Sequence, residues 1–337
     1  EYNQCYYSSA VKAVGMGASS QTLDNAYAVE SLKEASVKTG LESGSSAFNA
    51  RSLGFTASSW TTNTDGYFVP STVKPDTNPG GGTPLKVSLI GDSISTFNGY
   101  LPTGYNTFYP TGDVVSASQT YWYRLIYNNM QNAVLEKNIA WTGTLVTRSL
   151  NTAMASQHWY GHDFNARFIK DGMGNPDVIL VHGGTNDVSS RGYNEAQVKL
   201  YKSLATNGSA YPSDAEFAEV FAVVDAAATR VQLEALPDTT FVEAYTKLIA
   251  LIHQQYPSAK VVMLIGDYLP EGERQSVLKI AAHYNSLYGY RVVDFVASNG
   301  FQSSKYITKA TGCHPDSNGF KWMADQIYKE VGSYIEQ

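Results

Sequence analysis

The sequence predicts an α/β domain built on a parallel sheet with helices on both faces, preceded by a smaller N-terminal segment. Three observations predict it. Short apolar runs, continuous rather than alternating, recur after residue 84. Segments of helical period separate them. Residues 75–84, reading Pro-Asp-Thr-Asn-Pro-Gly-Gly-Gly-Thr-Pro, form a linker that divides the chain. Strands apolar on both faces belong to a sheet covered on both sides, and their alternation with helices makes that sheet parallel.

Before the linker, residues 1–74 are rich in Ser, Thr, Ala and Gly. A helix is expected over residues 25–38, with β-like pieces over 4–8 and 67–69, giving a small extension of mixed or β character. Such a length is a thin basis for an independent core. The Cys5-Tyr6-Tyr7 start, Ser31-Leu32-Lys33 and the stretch 60–70 resemble a unit of a bacterial surface repeat of the GLUG type. That resemblance implies the end of a truncated repeat array. An irregular extension packed on the main domain is the other reading, and both stay open.

After the linker, residues 86–90 run apolar into Gly91 and read as a buried strand. Residues 119–130 carry Tyr, Trp, Leu and Ile at helical spacing. A second strand is expected over 133–140, and a third over 177–181, after Pro176. Residues 241–255 form a strongly periodic helix, with Phe241, Ala244, Tyr245, Leu248, Ile249 and Ile252 on one face, stopped before Pro257. A fourth strand over 260–265, a helix over 274–288, a fifth strand over 290–296 and an amphipathic helix over 317–335 complete the domain, residues 85–337. Ligands of such sheets bind beyond the carboxyl ends of the strands.

The chain has 337 residues, 16% of them charged, and a net charge of −6. No run of Lys and Arg stands out, which argues against nucleic acid and against anionic membranes as partners. The longest apolar runs fall far short of the ~20 residues that span a bilayer. Low charge, with polarity carried by Ser, Thr, Asn, Gln and Tyr, suits an extracytoplasmic protein. The chain begins at Glu1 without an apolar signal segment, so a removed signal peptide or a longer parent protein is expected. Cys5 and Cys313 make neither a disulfide framework nor a Cys-rich zinc site; one bridge and two thiols remain open. The sequence sets no oligomeric state.

Four loops at the expected sheet edge carry reactive residue types. Gly91-Asp92-Ser93-Ile94-Ser95 follows the first strand, where a Ser after a tight turn can project its hydroxyl and aim its own N–H at an oxyanion. Taken alone, Gly-Asp-Ser is also a common turn sequence. Asn138-Ile139-Ala140-Trp141-Thr142-Gly143 follows the second strand, and Gly143 offers an unscreened N–H. Gly183-Gly184-Thr185-Asn186-Asp187 follows the third, where Asn186 supplies a neutral amide donor, and Asp187 is read as ordering the loop. Cys313-His314-Pro315 opens the last helix, making His314 the best general base of six histidines.

Taken together, these clusters resemble the SGNH, or GDSL-type, hydrolases over residues 85–337, and the stretch from Ile90 to Tyr100 is similar to a subgroup common in gut Bacteroidetes. The resemblance implies a three-layer, flavodoxin-like sandwich with a five-stranded parallel sheet. It also implies ester hydrolysis through an acyl-enzyme, with Ser93 as nucleophile and His314 as base. The N–H groups of Ser93 and Gly143 and the Asn186 amide would form the oxyanion hole. No cofactor and no metal is implied.

The sequence departs from the family three residues before His314, where Thr311 stands in place of the usual Asp. Thr311 or a backbone carbonyl would then orient the imidazole, or a relocated acid, Asp316 or Asp294, would do so; loss of activity is the third reading. His158 and His162, at i, i+4 spacing beside Asp163, lack a third metal ligand, and Trp159, Tyr160 and Phe164 around them fit a substrate-lining or packing loop better. His182 reads as packed, His253 and His283 as surface.

The long segments 98–118 and 188–212 are rich in Tyr and border the expected site. Tyr100, Trp141, Trp159 and Tyr193 are the expected substrate-lining residues. A secreted, periplasmic or surface-exposed carbohydrate O-acetyl esterase, acting on a small-molecule or glycan ester, is the leading expectation, carried mostly by the resemblance. The alternatives are a lipase, thioesterase or arylesterase of the same family, and a catalytically weak or inactive glycan-binding or adhesive module.

Overall fold

The computed structural model describes residues 83–187, 213–266, 269, 271–298 and 314–337, together with four short strands nearer the N-terminus. The chain divides into two units, Glu1–Gly82 and Thr83–Gln337, with the boundary inside the 75–84 stretch. In the first unit Tyr6–Tyr7 pairs in parallel with Tyr27–Ala28, and Trp60–Thr62 pairs antiparallel with Phe68–Pro70. Residues 27 and 28, expected in a helix, are therefore in a strand. Strand pairing of an aromatic residue overrides the weak local helical pattern there. The rest of 25–38 lies outside the described residues.

The second unit is built on five parallel strands: β1 (Leu85–Gly91), β2 (Ala133–Asn138), β3 (Val178–His182), β4 (Lys260–Ile265) and β5 (Arg291–Asp294). Their order is β2-β1-β3-β4-β5. The helices are α1 (Tyr121–Arg124), α2 (Phe164–Asp171), α3 (Asp214–Asp225), α4 (Arg230–Ala235), α5 (Phe241–Gln255), α6 (Glu271–Tyr288) and α7 (Ser317–Glu336).

Both faces of the sheet are covered. Val87, Leu89, Leu180, Val262, Leu264 and Val293 point to one side, where they pack with Trp122 of α1 and Phe320 and Ile327 of α7. Ile90, Ile179, Val181, Val261 and Met263 point to the other, with Phe168 of α2, Leu248 of α5 and Ile280 of α6. The central strands β1, β3 and β4 thus spend both sets of alternating side chains on burial, which explains the continuous apolar runs. The result is the three-layer α/β sandwich of flavodoxin-like order.

The expected helix over 119–130 is broken. A 3-10 turn (Ala117–Gln119) precedes α1, and a π turn (Leu125–Asn129) follows it. Helices α2, α3 and α4 are additions to the elements expected. The capping boxes Ser213 with Glu216, Thr229 with Gln232 and Thr240 with Glu243 start α3, α4 and α5. Among the described residues, no helix is long and apolar enough to cross a membrane.

Strand order reverses at β1, between β2 and β3, so the loops after these three strands emerge side by side. That crevice is where such sheets bind ligands.

Candidate active site

The loop after β1 is held by a chain of short contacts. A Cβ on Gly91 would lie 2.4 Å from Ser95 Oγ, so only glycine lets the turn close this tightly. Asp92 caps the 3-10 turn Ser93–Ser95, its Oδ1 accepting from the Ile94 N–H at 3.0 Å. Burial pushes the Asp92 carboxyl up to about 6, partly offset by the Ile94 N–H, the Thr185 hydroxyl and the Arg167 charge. Thr96 Oγ1 donates to the Ser93 carbonyl at 2.8 Å and accepts from the Phe108 N–H at 2.9 Å. Ser93 is 7% exposed, its side chain held at the sheet edge by this frame.

His314 Nε2 lies 2.7 Å from Ser93 Oγ. For the hydroxyl to donate there, the imidazole carries its proton on Nδ1. The histidine reaches this place because it directly precedes α7. Asp316 caps that helix, accepting from the Gly319 N–H at 2.8 Å, and the Pro315 carbonyl accepts from the Tyr109 hydroxyl at 2.7 Å. Phe108 stacks on the imidazole, with centroids 3.6 Å apart and planes 12° from parallel.

The carboxylates named as possible relocated acids have these partners among the described residues. Asp316 spends Oδ1 on the α7 cap. Asp294 accepts two bonds from Arg274, at 2.9 and 2.7 Å, and its other oxygen accepts from the N–H groups of Val296 and Ala297. Both serve the ends of regular elements, the commonest use of Asp beside a helix or strand terminus. Thr311, Cys313, Tyr193 and Cys5 lie outside the described residues.

The loops after β2 and β3 carry Gly143 and Asn186. Gly143 has φ +77, and a Cβ there would meet Trp159 Cδ1 at 3.1 Å and His158 Cε1 at 3.5 Å. The Asn186 amide donates to the Thr144 carbonyl at 3.0 Å, which fixes the carboxamide beside the residue that follows Gly143. Asp187 binds the same segment, accepting from the Val146 N–H and from the Thr147 N–H and hydroxyl at 2.7–3.0 Å. Burial raises its carboxyl to about 7. It orders the loop, as the sequence suggests.

The aromatic residues expected to line the substrate form a wall more than a platform. Trp141 and Trp159 are only 6% and 5% exposed. His162 stacks on Trp141 (4.0 Å, 15°), Tyr105 packs against it at 4.4 Å, and the Trp141 indole N–H donates to His158 Nδ1 at 3.3 Å. That bond leaves the ring proton of His158 on Nε2, and burial lowers the pKa of both histidines. Tyr100, 39% exposed, leans on Trp122 at 5.3 Å. Among the described residues no three His, Cys, Asp or Glu side chains gather as a metal site.

Sequence reasoning missed Arg167, Phe108 and Thr96. Arg167, on α2, is fully buried. Its Nε donates to the His162 carbonyl at 2.8 Å, Nη2 to the Gly91 carbonyl and to Thr144 Oγ1 at 3.1 and 3.0 Å, and Nη1 to the Ile139 carbonyl. Burial lowers it to about 10, so it stays cationic at neutral pH. A signal existed for its helix: the Asp163 cap, Phe164 and Phe168 at i, i+4, and Gly172 as stop.

Residues 85–212 match the family described as GDSL-like Lipase/Acylhydrolase. No curated protein matches the chain. Among solved structures the chain is similar to a GDSL-like lipase from Bacteroides ovatus, with 23% identity over 75% of this chain and 100% of that one, at a TM-score of 0.50. A GDSL-like lipase from Bacteroides uniformis gives 25% identity over 75% and 97%, at 0.49. A family two carbohydrate esterase from Clostridium thermocellum, in complex with cellohexaose, gives 18% over 76% and 66%, at 0.46. The likeness to the Bacteroides ovatus protein is one of fold.

Proposed function

We propose that this chain, whose residues 85–212 match the family described as GDSL-like Lipase/Acylhydrolase, is a serine esterase that removes acetyl groups from carbohydrate. The observation that carries this reading is the 2.7 Å contact of His314 Nε2 with Ser93 Oγ at the carboxyl edge of the sheet.

Ser93 Oγ attacks the ester carbonyl carbon while His314 Nε2 takes its proton. Negative charge gathers on the carbonyl oxygen, facing the N–H groups of Ser93 and Gly143 and the Asn186 amide. The intermediate collapses, the C–O bond to the sugar breaks, and His314 returns the proton to the departing hydroxyl oxygen. Water then attacks the acyl-Ser93 ester, with His314 again as base, releasing acetate and restoring the serine.

Phe108 supports the imidazole from one face, a role suited to a site whose base has Thr311 at the position of the family's acid. The polar aromatic wall of His158, His162, Tyr105 and Trp141 suits a hydroxyl-bearing substrate better than an acyl chain. An extracytoplasmic location fits such a substrate.

Acetate release from O-acetylated polysaccharides, beside hydrolysis of p-nitrophenyl esters of increasing chain length, tests this. Acetate release with turnover falling as the chain lengthens is expected. Preference for long acyl chains without acetate release would overturn the acetyl esterase reading in favour of a lipase.

A further inference from the structure

We infer that Arg167 is a positioning residue for the oxyanion site, one side chain fixing the loops from which Ser93, Gly143 and Asn186 present their donors. The inference rests on the esterase reading above. Its basis is where the guanidinium hydrogen bonds end. Gly91, whose carbonyl accepts from Nη2, stands two residues before Ser93. Ile139, whose carbonyl accepts from Nη1, leads from β2 toward Gly143. Thr144, whose hydroxyl accepts from Nη2, follows Gly143, and its carbonyl holds the Asn186 amide. His162, whose carbonyl accepts from Nε, stacks on Trp141 in the same wall.

Among the described residues, all these acceptors are neutral. A buried cation is costly, and an apolar side chain of the same volume packs such a place more cheaply. Only a planar fork with five N–H donors reaches three carbonyls and a hydroxyl in separate segments at once; a lysine ammonium does not. The Phe164 ring, 4.7 Å from the guanidinium carbon, keeps water from that face.

The test compares the unsubstituted protein with Arg167→Met, Arg167→Lys and Thr144→Val. Active sites are titrated with a fluorophosphonate, p-nitrophenyl acetate is the substrate, and phenylboronic acid is the anionic tetrahedral analogue. Arg167→Met is expected to lower kcat per titrated site about a hundredfold, with KM changed by less than about threefold and boronate affinity falling in parallel. Arg167→Lys keeps the charge without the fork and is expected to fall between, near a tenfold loss. Thr144→Val removes one acceptor while keeping the arginine, and about a fivefold loss is expected; this variant decides the matter if Arg167→Met does not fold. A merely structural arginine would lower the fraction of titratable sites and the Tm, leaving kcat per titrated site and boronate affinity within about twofold. That result overturns the inference. An unsubstituted protein that no fluorophosphonate labels would instead overturn the esterase reading, and this role with it.

Discussion

Phe108 lies flat on the His314 imidazole, with centroids 3.6 Å apart and ring planes 12° from parallel. The same residue's backbone N–H is tied through Thr96 Oγ1 to the Ser93 carbonyl. Ser93 and His314 are therefore registered to one another by a residue farther along the connection that carries Ser93. Replacing Phe108 with Ala frees rotation of the imidazole. Steady-state kinetics on p-nitrophenyl acetate are expected to show kcat reduced about tenfold with KM nearly unchanged; an unchanged kcat would contradict the registering role.

Thr96 is fully buried and both its hydrogen bonds are internal. Thr96→Val takes the acceptor from the Phe108 N–H at nearly constant volume, while the Ser93 carbonyl keeps the Thr96 backbone N–H at 3.2 Å. Urea unfolding is expected to show a loss of about 1–3 kcal/mol, with Thr96→Ser recovering most of it. Equal stabilities of the Val and Ser variants would refute the bridging role.

Gly143 combines a left-handed φ of +77 with a Cβ position 3.1 Å from Trp159 Cδ1. Gly143→Ala is expected to cost about 1–2 kcal/mol. Displacement of the residue's N–H is expected to lower kcat more than tenfold, roughly the worth of one oxyanion donor. Wild-type kcat in a folded variant would place the donor elsewhere.

His182, at the end of β3, is buried between the rings of Tyr121 and Phe295, and neither ring nitrogen has a hydrogen-bond partner among the described residues. Burial pushes it down to about 4 from an ordinary 6.5. Between these values the unfolded chain binds a proton that the folded chain refuses. The histidine's contribution is therefore intact above pH 6.5 and fades as pH falls toward 4, by about 3 kcal/mol in total. In His182→Phe that slope disappears. Thermal melts from pH 7 to pH 4 should show the variant gaining on the parent as acid increases; parallel curves would rule out a refused proton.

Much of the fold is legible because each central strand buries both faces. The runs at Val178 and Val261 announce a sheet covered on two sides, and the helix over 241–255 shows its stripe and its Pro257 stop. Helices α3 and α4 are harder to read because they carry short or weak apolar stripes, although the Ser213 and Thr229 capping boxes mark their starts. At the site, Ser93, Gly143, Asn186 and His314 are visible as residue types after strands. Arg167 is not, because its meaning lies in carbonyls 28 and 76 residues away that only the folded sheet brings together. The partners that Asp294 and Asp316 do have, Arg274 and the Gly319 N–H, cannot be seen from spacing.

The most direct measurement is intact-mass and peptide mapping of the protein after exposure to a fluorophosphonate. A single adduct on Ser93 is expected, absent in Ser93→Ala and strongly slowed in His314→Asn. No adduct on Ser93, or labelling of His314→Asn at the parent rate, would contradict a serine activated by His314.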